Sequence, residues 1–356
     1  MKVLITGGCG FTGSTLATAF QELDPTIEIC AVDNLVRAGS EQNRARLKTS
    51  GIRLFHGDVR CPSDLDTLPT VQWVIDAAAN PSVLAGVSGK SSSRQLLEHN
   101  LVGTINLLEY CKRNSTGLIL LSTSRVYSIA PLVRLPLTVE NQAYRPQFDR
   151  SSIGGLSSEG IAENFSTSPP LSLYGATKLA SELLALEYAD AFRLPIWINR
   201  CGVLAGAGQF GQPDQGIFSF WINSYLRRKA LSYIGFDAKG YQVRDCLHPR
   251  DVAALVRKQM QSPERKVDRV QNVSGGVQSA MSLAQLSAWC ADRFGKHDVG
   301  HDSAARRYDV PWIVLDSTKA KRQWDWQPNL AVGQILEEIA QHAKEHPEWL
   351  EISSST

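Results

Sequence analysis

Thr6-Gly7-Gly8-Cys9-Gly10-Phe11-Thr12-Gly13 is the stretch that decides the fold. It follows Met1-Lys2-Val3-Leu4-Ile5, an apolar run of strand length, and leads into 11–23, where apolar residues recur at helical spacing. The stretch satisfies G-x-G-x-x-G through Gly8, Gly10 and Gly13, and G-x-x-G-x-x-G through Gly7, Gly10 and Gly13. Glycine is needed for three reasons. The turn uses dihedrals that a Cβ resists, a bound pyrophosphate must approach the backbone, and the following helix must pack closely on the strand. The helix N-terminus then offers free N–H groups and a favourable dipole to an anion. The flanking strand and helix favour a dinucleotide site over a merely tight turn.

Outward from that turn, short apolar runs at 3–6, 27–32, 53–56, 73–77, 118–122 and 196–200 read as strands, and 11–23, 95–112 and 178–192 between them as helices. Strands separated by helical crossovers predict an α/β fold with a Rossmann-type, doubly wound parallel sheet. Residues 128–170 break the alternation with prolines, serines and Gly154-Gly155. That length predicts a flap or short elements near the site. Beyond Arg200 the pattern becomes irregular, with a last helix at about 332–344 and a frayed tail from Ser353. The expected organisation is a cofactor domain over 1–200 and a smaller C-terminal substrate domain over 201–245 and 276–350.

Composition narrows the function classes. A formal charge of +2 gives no reason to expect a nucleic-acid or membrane partner. No charged-then-apolar leader opens the chain, and no apolar run approaches membrane-spanning length. Seven cysteines without C-x-x-C spacing read as reduced thiols of a cytoplasmic protein, and seven scattered histidines give no metal site.

The cofactor's chemistry is legible further along. Asp33 ends the second strand about twenty residues beyond the glycines, where a carboxylate accepts ribose hydroxyls and repels a 2′-phosphate, favouring NAD over NADP. Arg37 is the counter-indication, since a guanidinium binds such a phosphate. Asp58, after the third strand, is either an adenine ligand or an ordinary turn carboxylate. Ala77-Ala78-Ala79 either let the backbone pass close to the cofactor or pack a helix.

Tyr174 and Lys178 supply a reacting group. An ordinary phenol, with a pKa near 10, is a poor base at neutral pH. A lysine four residues on lies one helical turn away on the same face, and its charge, with that of an oxidised nicotinamide, favours the phenolate. Helices carry such pairs by chance, but this one lies downstream of a glycine turn and of Leu121-Ser122-Thr123-Ser124 at a strand end. Thr123 then holds the same substrate oxygen.

With these motifs the chain resembles the extended short-chain dehydrogenase/reductases, the nucleotide-sugar epimerases and dehydratases. The resemblance is carried by the glycine turn, Gly57-Asp58-Val59-Arg60, Asn100–Glu109, Ser122–Tyr127, Tyr174-Gly175-Ala176-Thr177-Lys178 and Gln242–Asp251. It implies a catalytic set of Thr123, Tyr174 and Lys178, and an NAD site of Gly7, Gly10, Phe11, Thr12, Gly13, Asp33, Asn34, Asp58, Val59, Ala77, Ala78 and Asn100 beside Tyr174 and Lys178. It places substrate on Thr123, Gln209, Arg244 and Arg306; the alternative for either arginine is an ion pair, and Arg306 is the more open of the two to that reading. It also implies that 246–275 returns to the first domain, and that the protein is a homodimer or homotetramer.

Departures narrow the reaction. The 4,6-dehydratases carry Asp-Glu directly after the catalytic threonine, where this chain has Ser124-Arg125, so dehydration is disfavoured. Arg200-Cys201-Gly202-Val203 lacks the asparagine that 4-epimerases place three residues after the arginine. The segment 205–221 with Gln242-Val243-Arg244-Asp245 is most similar to the CDP-paratose (CDP-tyvelose) 2-epimerases. The expected activity is therefore 2-epimerisation of a CDP-sugar by transient oxidation, of the kind used to build lipopolysaccharide O-antigen sugars. A UDP-sugar 4-epimerase and a non-catalytic NAD(H)-binding regulator are the alternatives.

Overall fold

The computed structural model describes residues 1–87, 89, 92–150 and 153–354. Seven strands form its main sheet: β1 (Lys2–Thr6), β2 (Glu28–Asp33), β3 (Arg53–His56), β4 (Trp73–Asp76), β5 (Gly117–Thr123), β6 (Ile196–Cys201) and β7 (Val270–Val273). Their order is β7-β6-β5-β4-β1-β2-β3, every pairing parallel. The order reverses between β1 and β4, and ligands of such sheets bind beyond the carboxyl ends of the strands at that switch point. β5 is buried at every position, as a central parallel strand covered on both faces must be. Helices Phe11–Leu23 and Pro249–Met260 bury Leu16, Phe20, Val252 and Val256 against one face. Helices Gly103–Asn114 and Leu173–Ala191 bury Leu107, Leu108 and Ala185 against the other.

A smaller sheet combines Val203–Leu204, Val243–Leu247, Ala280–Ser282 and Trp312–Ile313. Helices Ile217–Leu226, Leu283–Phe294 and Val332–Glu345 pack together through Trp221, Leu286 and Ile339. From Val243–Leu247 the chain passes through helix Pro249–Met260 into β7, so the two sheets share one continuous path.

Several expectations change. The 128–170 stretch is not a flap, because none of its described residues lines the cavity described below. It holds helix Ile129–Val133, a hairpin of Leu137–Glu140 with Ala143–Pro146, and the pair Leu156–Ser157 with Gly160–Ile161. Leu132, Ile161 and Phe165 are buried with Trp312 and Val314. The Tyr144 N–H donates to the Tyr241 carbonyl at 2.9 Å and the Ser282 hydroxyl to that of Gln142 at 2.6 Å. The segment therefore clamps the unit that holds the smaller sheet.

The helix that carries Tyr174 and Lys178 begins at Leu173, five residues earlier than periodicity suggests, because Ser172 caps it by accepting the Gly175 N–H at 3.0 Å. The helix expected over 95–112 is interrupted by a wide turn at Glu98–Val102. The tail is ordered into a helix at Trp349–Ser354, with Ser353 buried; residues 355 and 356 lie outside the described residues. No described helix is long and apolar enough to cross a membrane.

Candidate active site

A cavity of 1020 Å³ runs from the glycine turn, past the ends of β1, β4 and β5, to the smaller sheet. Gly7 has φ +62°, and a Cβ there would lie 2.9 Å from the Ala78 Cα and 3.0 Å from the Ala77 carbonyl oxygen. At Gly13 a Cβ would overlap the Gly7 carbonyl. The turn is thus held between helix and β4 with no room for side chains. Thr6 fixes that contact from below, donating to Asp76 Oδ1 at 2.8 Å and accepting the Ala78 N–H at 3.1 Å. Gly10 caps helix Phe11–Leu23 without a side chain, so the first-turn N–H groups stay available to an anion.

Asp33 is oriented by two backbone donors, Cys9 N–H to Oδ2 at 2.8 Å and Leu35 N–H to Oδ1 at 2.7 Å. Phe11, Thr12, Asn34, Asp58, Val59, Ala77 and Ala78 line the same lobe. Asp58 is bound to Arg60 at 2.6 Å and accepts from Asn34 Nδ2 at 2.9 Å. Burial alone raises its pKa, but these hydrogen bonds outweigh burial and hold the carboxyl well below the usual range. Arg37 donates to Gln215 at 2.9 Å and stacks over Phe210, so that guanidinium is tied to the loop after β6.

Asn100 does not line the cavity. Its amide bonds both backbone groups of Asn80, at 2.8 and 3.1 Å, and the Thr177 hydroxyl at 3.2 Å. It was expected to meet the cofactor; it instead ties the turn after β4 to the catalytic helix.

Thr123, Tyr174 and Lys178 come together on one wall. Tyr174 lies in the first turn of its helix, where the dipole favours a phenolate, and Lys178 is buried one turn on. Thr123 Oγ accepts the Arg125 N–H at 3.2 Å, which leaves its own proton free to donate. Ser122 is committed elsewhere, donating to Glu182, which also pairs with buried Arg200 at 2.7 Å. Burial raises the Tyr174 phenol above its ordinary value, and hydrogen bonding with Thr123 and the charge of Arg125 offset only part of that rise. The sequence-based expectation credits Lys178 together with the oxidised nicotinamide for favouring the phenolate.

At the far end Arg244 is paired with Asp309 at 2.6 Å, and Arg306 donates to the Pro213 carbonyl at 2.9 Å. Gln209 lines the cavity with its side-chain oxygen buried and without a hydrogen-bond partner among the described residues. Two features were missed from sequence. One is the Thr6–Asp76 support; the other is the turn Gln212-Pro213-Asp214-Gln215, which closes the cavity edge. Gln212 reaches the Ser353 carbonyl at 2.8 Å, and Asp214 accepts from Ser82 at 2.6 Å. In the sequence that turn lies inside the segment 205–221 that resembles the 2-epimerases, but nothing there marks it as an edge of the cavity.

The cradle at Gly7 and Gly13, the bare helix N-terminus and the fixed carboxylate of Asp33 fit a dinucleotide. Comparison with known proteins agrees. The model of the NAD dependent epimerase/dehydratase family matches residues 3–274. The CDP-paratose 2-epimerase of Salmonella typhi is 28% identical over 347 residues, covering 93% of this chain and 96% of that protein. A dTDP-glucose 4,6-dehydratase of Salmonella typhimurium is 27% identical over 92% of this chain and 88% of its own length. The UDP-glucuronic acid 4-epimerase from Bacillus cereus, solved with UDP-glucuronic acid and NAD, superposes with a TM-score of 0.75 at 22% identity, over 97% of this chain and 99% of that one.

Proposed function

This chain belongs to the NAD-dependent epimerase/dehydratase family, and we propose that within it the protein epimerises a nucleotide-diphospho-sugar, a CDP-dideoxyhexose at C2. One observation carries the reading: Thr123, Tyr174 and Lys178 share a cavity wall beside the glycine cradle, while Ser124 and Arg125 stand where water elimination needs an acid pair. NAD, held by the glycine turn and Asp33, would supply a hydride acceptor and donor for the sugar carbon. Tyr174, as phenolate, takes the hydroxyl proton from the sugar and gives it back after the keto sugar has turned. Thr123 donates a hydrogen bond to the same oxygen, and Lys178 keeps the phenolate favoured. Arg244 and Arg306 hold the diphosphate, each able to bind it through two N–H groups. Arg244 then shares itself between Asp309 and phosphate. The reaction involves no net redox change, so the cofactor stays bound between turnovers. A cytoplasmic homodimer or homotetramer is the form proposed.

Tyr174→Phe tests this. Turnover should fall by about 100-fold or more, the usual worth of a positioned acid–base group, while NAD remains bound. Near-parent turnover sinks the mechanism. Activity on UDP-sugars with none on CDP-sugars would favour 4-epimerisation; bound NAD with no turnover on either would favour a regulator.

A further inference from the structure

The turn Gln212-Pro213-Asp214-Gln215 is tied to four separate parts of the chain. Its own ends are paired, the Gln212 N–H to the Gln215 carbonyl at 2.7 Å and the Gln215 N–H to that of Gln212 at 3.1 Å. Asp214 accepts the hydroxyl of Ser82, in the turn after β4, at 2.6 Å. Gln215 accepts Nη1 of Arg37, in the loop after β2, at 2.9 Å. In the sheet, β4 and β2 are the two neighbours of β1, whose end carries the glycine turn. A segment bonded to both flanking loops therefore spans the crevice over the glycine turn, and all four of its residues line the cavity. Two further bonds hold its other side, Gln212 to the Ser353 carbonyl at 2.8 Å and Arg306 to the Pro213 carbonyl at 2.9 Å. The side chains of the turn are half-buried or exposed, so polar bonds rather than apolar packing keep it in place. Its base is firm: Phe210 and Phe218 on either side are buried, and at Gly216, with φ +71°, a Cβ would overlap the Phe210 carbonyl. Firm ends and a middle held by polar bonds make a segment that opens locally while the fold stays intact.

We propose that residues 212–215 are a latch across the dinucleotide crevice, which must open for NAD to enter or leave, and that its bonds to Ser82 and Arg37 set how fast the cofactor exchanges. The inference goes beyond the functional reading, since it needs NAD as cofactor but no particular sugar or carbon. The bonds of the latch join protein to protein. Weakening them raises the open fraction, which speeds entry and exit by the same factor and leaves the equilibrium affinity as it was. A residue that touches NAD behaves otherwise, because its loss speeds exit alone. Retention of NAD between turnovers is then set by the latch as a rate, in addition to the affinity of the glycine turn.

The test is stopped-flow kinetics with NADH, whose fluorescence reports binding. Mixing it with protein stripped of nucleotide gives the entry rate, and displacing it with excess NAD gives the exit rate. Asp214→Ala, Ser82→Ala and Gln215→Ala each remove one latch bond. Each should raise both rates about fivefold, the worth of one hydrogen bond, with the dissociation constant changed by under about twofold. Asp214→Ala and Ser82→Ala combined should do no more than either alone, because they break the same bond. Ser82→Ala leaves the sequence of the turn untouched, so the result stands even where a change within the turn disturbs the fold. A faster exit with unchanged entry overturns the proposal and makes the turn a cofactor contact. Parent rates in variants that keep the parent circular dichroism overturn it as well, leaving the turn a strut. NADH exchange as described without conversion of any nucleotide sugar would fail the functional reading alone; epimerisation with parent exchange rates in all three variants would fail the latch alone.

Discussion

Replacing Gly7 by alanine separates two costs that the glycine turn combines. At φ +62° an L-residue sits in the left-handed region, at about 1–2 kcal/mol. The new Cβ would also lie 2.9 Å from the Ala78 Cα and 3.0 Å from the Ala77 oxygen, both backbone atoms that cannot rotate away. Overpacking of that kind costs about 1–3 kcal/mol. Alanine recovers about 0.4–1 kcal/mol by restricting the unfolded chain, so Gly7→Ala should lose roughly 2–4 kcal/mol. Gly51 is the internal control, with φ +71° and nothing within 4 Å of a Cβ. Gly51→Ala should lose only about 1 kcal/mol. Urea denaturation of both variants gives the stabilities, and calorimetric titration with NAD reads the turn itself. Because the contact is with the turn after β4, Gly7→Ala should also weaken NAD binding by at least about tenfold, some 1.4 kcal/mol. Equal stabilities for the two variants, with parent NAD affinity in Gly7→Ala, would refute the argument.

Gly10, with ordinary φ and one near neighbour at 3.1 Å, should accept alanine with under about 1 kcal/mol lost yet bind NAD more weakly, measurable by the same two assays. Asp309→Asn leaves Arg244 buried without its carboxylate and should cost about 3 kcal/mol by urea denaturation. His342 packs on His346 and Trp349, and burial together with His346 lowers it to about 4. The unfolded chain then binds the extra proton between about pH 6.5 and 4, so stability should fall as pH drops through that window. The loss is on the order of 1–2 kcal/mol after allowance for its partial exposure, and His342→Phe should abolish it. The depressed Asp58 carboxyl contributes stability above the ordinary carboxylate pKa of about 4 and loses it as pH falls below; Asp58→Asn should flatten acid unfolding there.

Much of the sheet and cofactor lobe was legible because it rests on local rules. Periodicity alone gives β3 and the first helix, since both are short, regular and bounded by clear turn signals. The start of the catalytic helix was missed because Ser172 caps it beyond the periodic part. Nor did spacing distinguish the glycines: Gly7 and Gly13 press on backbone, whereas Gly10 meets little. Asn100 illustrates a further limit. Its place in a motif marks it as important, but only its bonds to Asn80 and Thr177 reveal that it ties two elements together. The clamp at 128–170 and the turn at 212–215 depend on contacts such as Tyr144–Phe236, 92 positions apart, and Gln212–Ser353, 141 apart, which no local pattern encodes. Arg125 read from sequence only as a missing acid; that its N–H meets Thr123 Oγ and its carbonyl packs on Gly175 are tertiary facts.

The measurement that bears most directly on the central claim is proton NMR of CDP-paratose after addition of the purified protein with no NAD supplied. The account predicts conversion to the C2 epimer, with cofactor already carried by the protein. No conversion, even after NAD is added, would contradict the assignment of substrate and carbon.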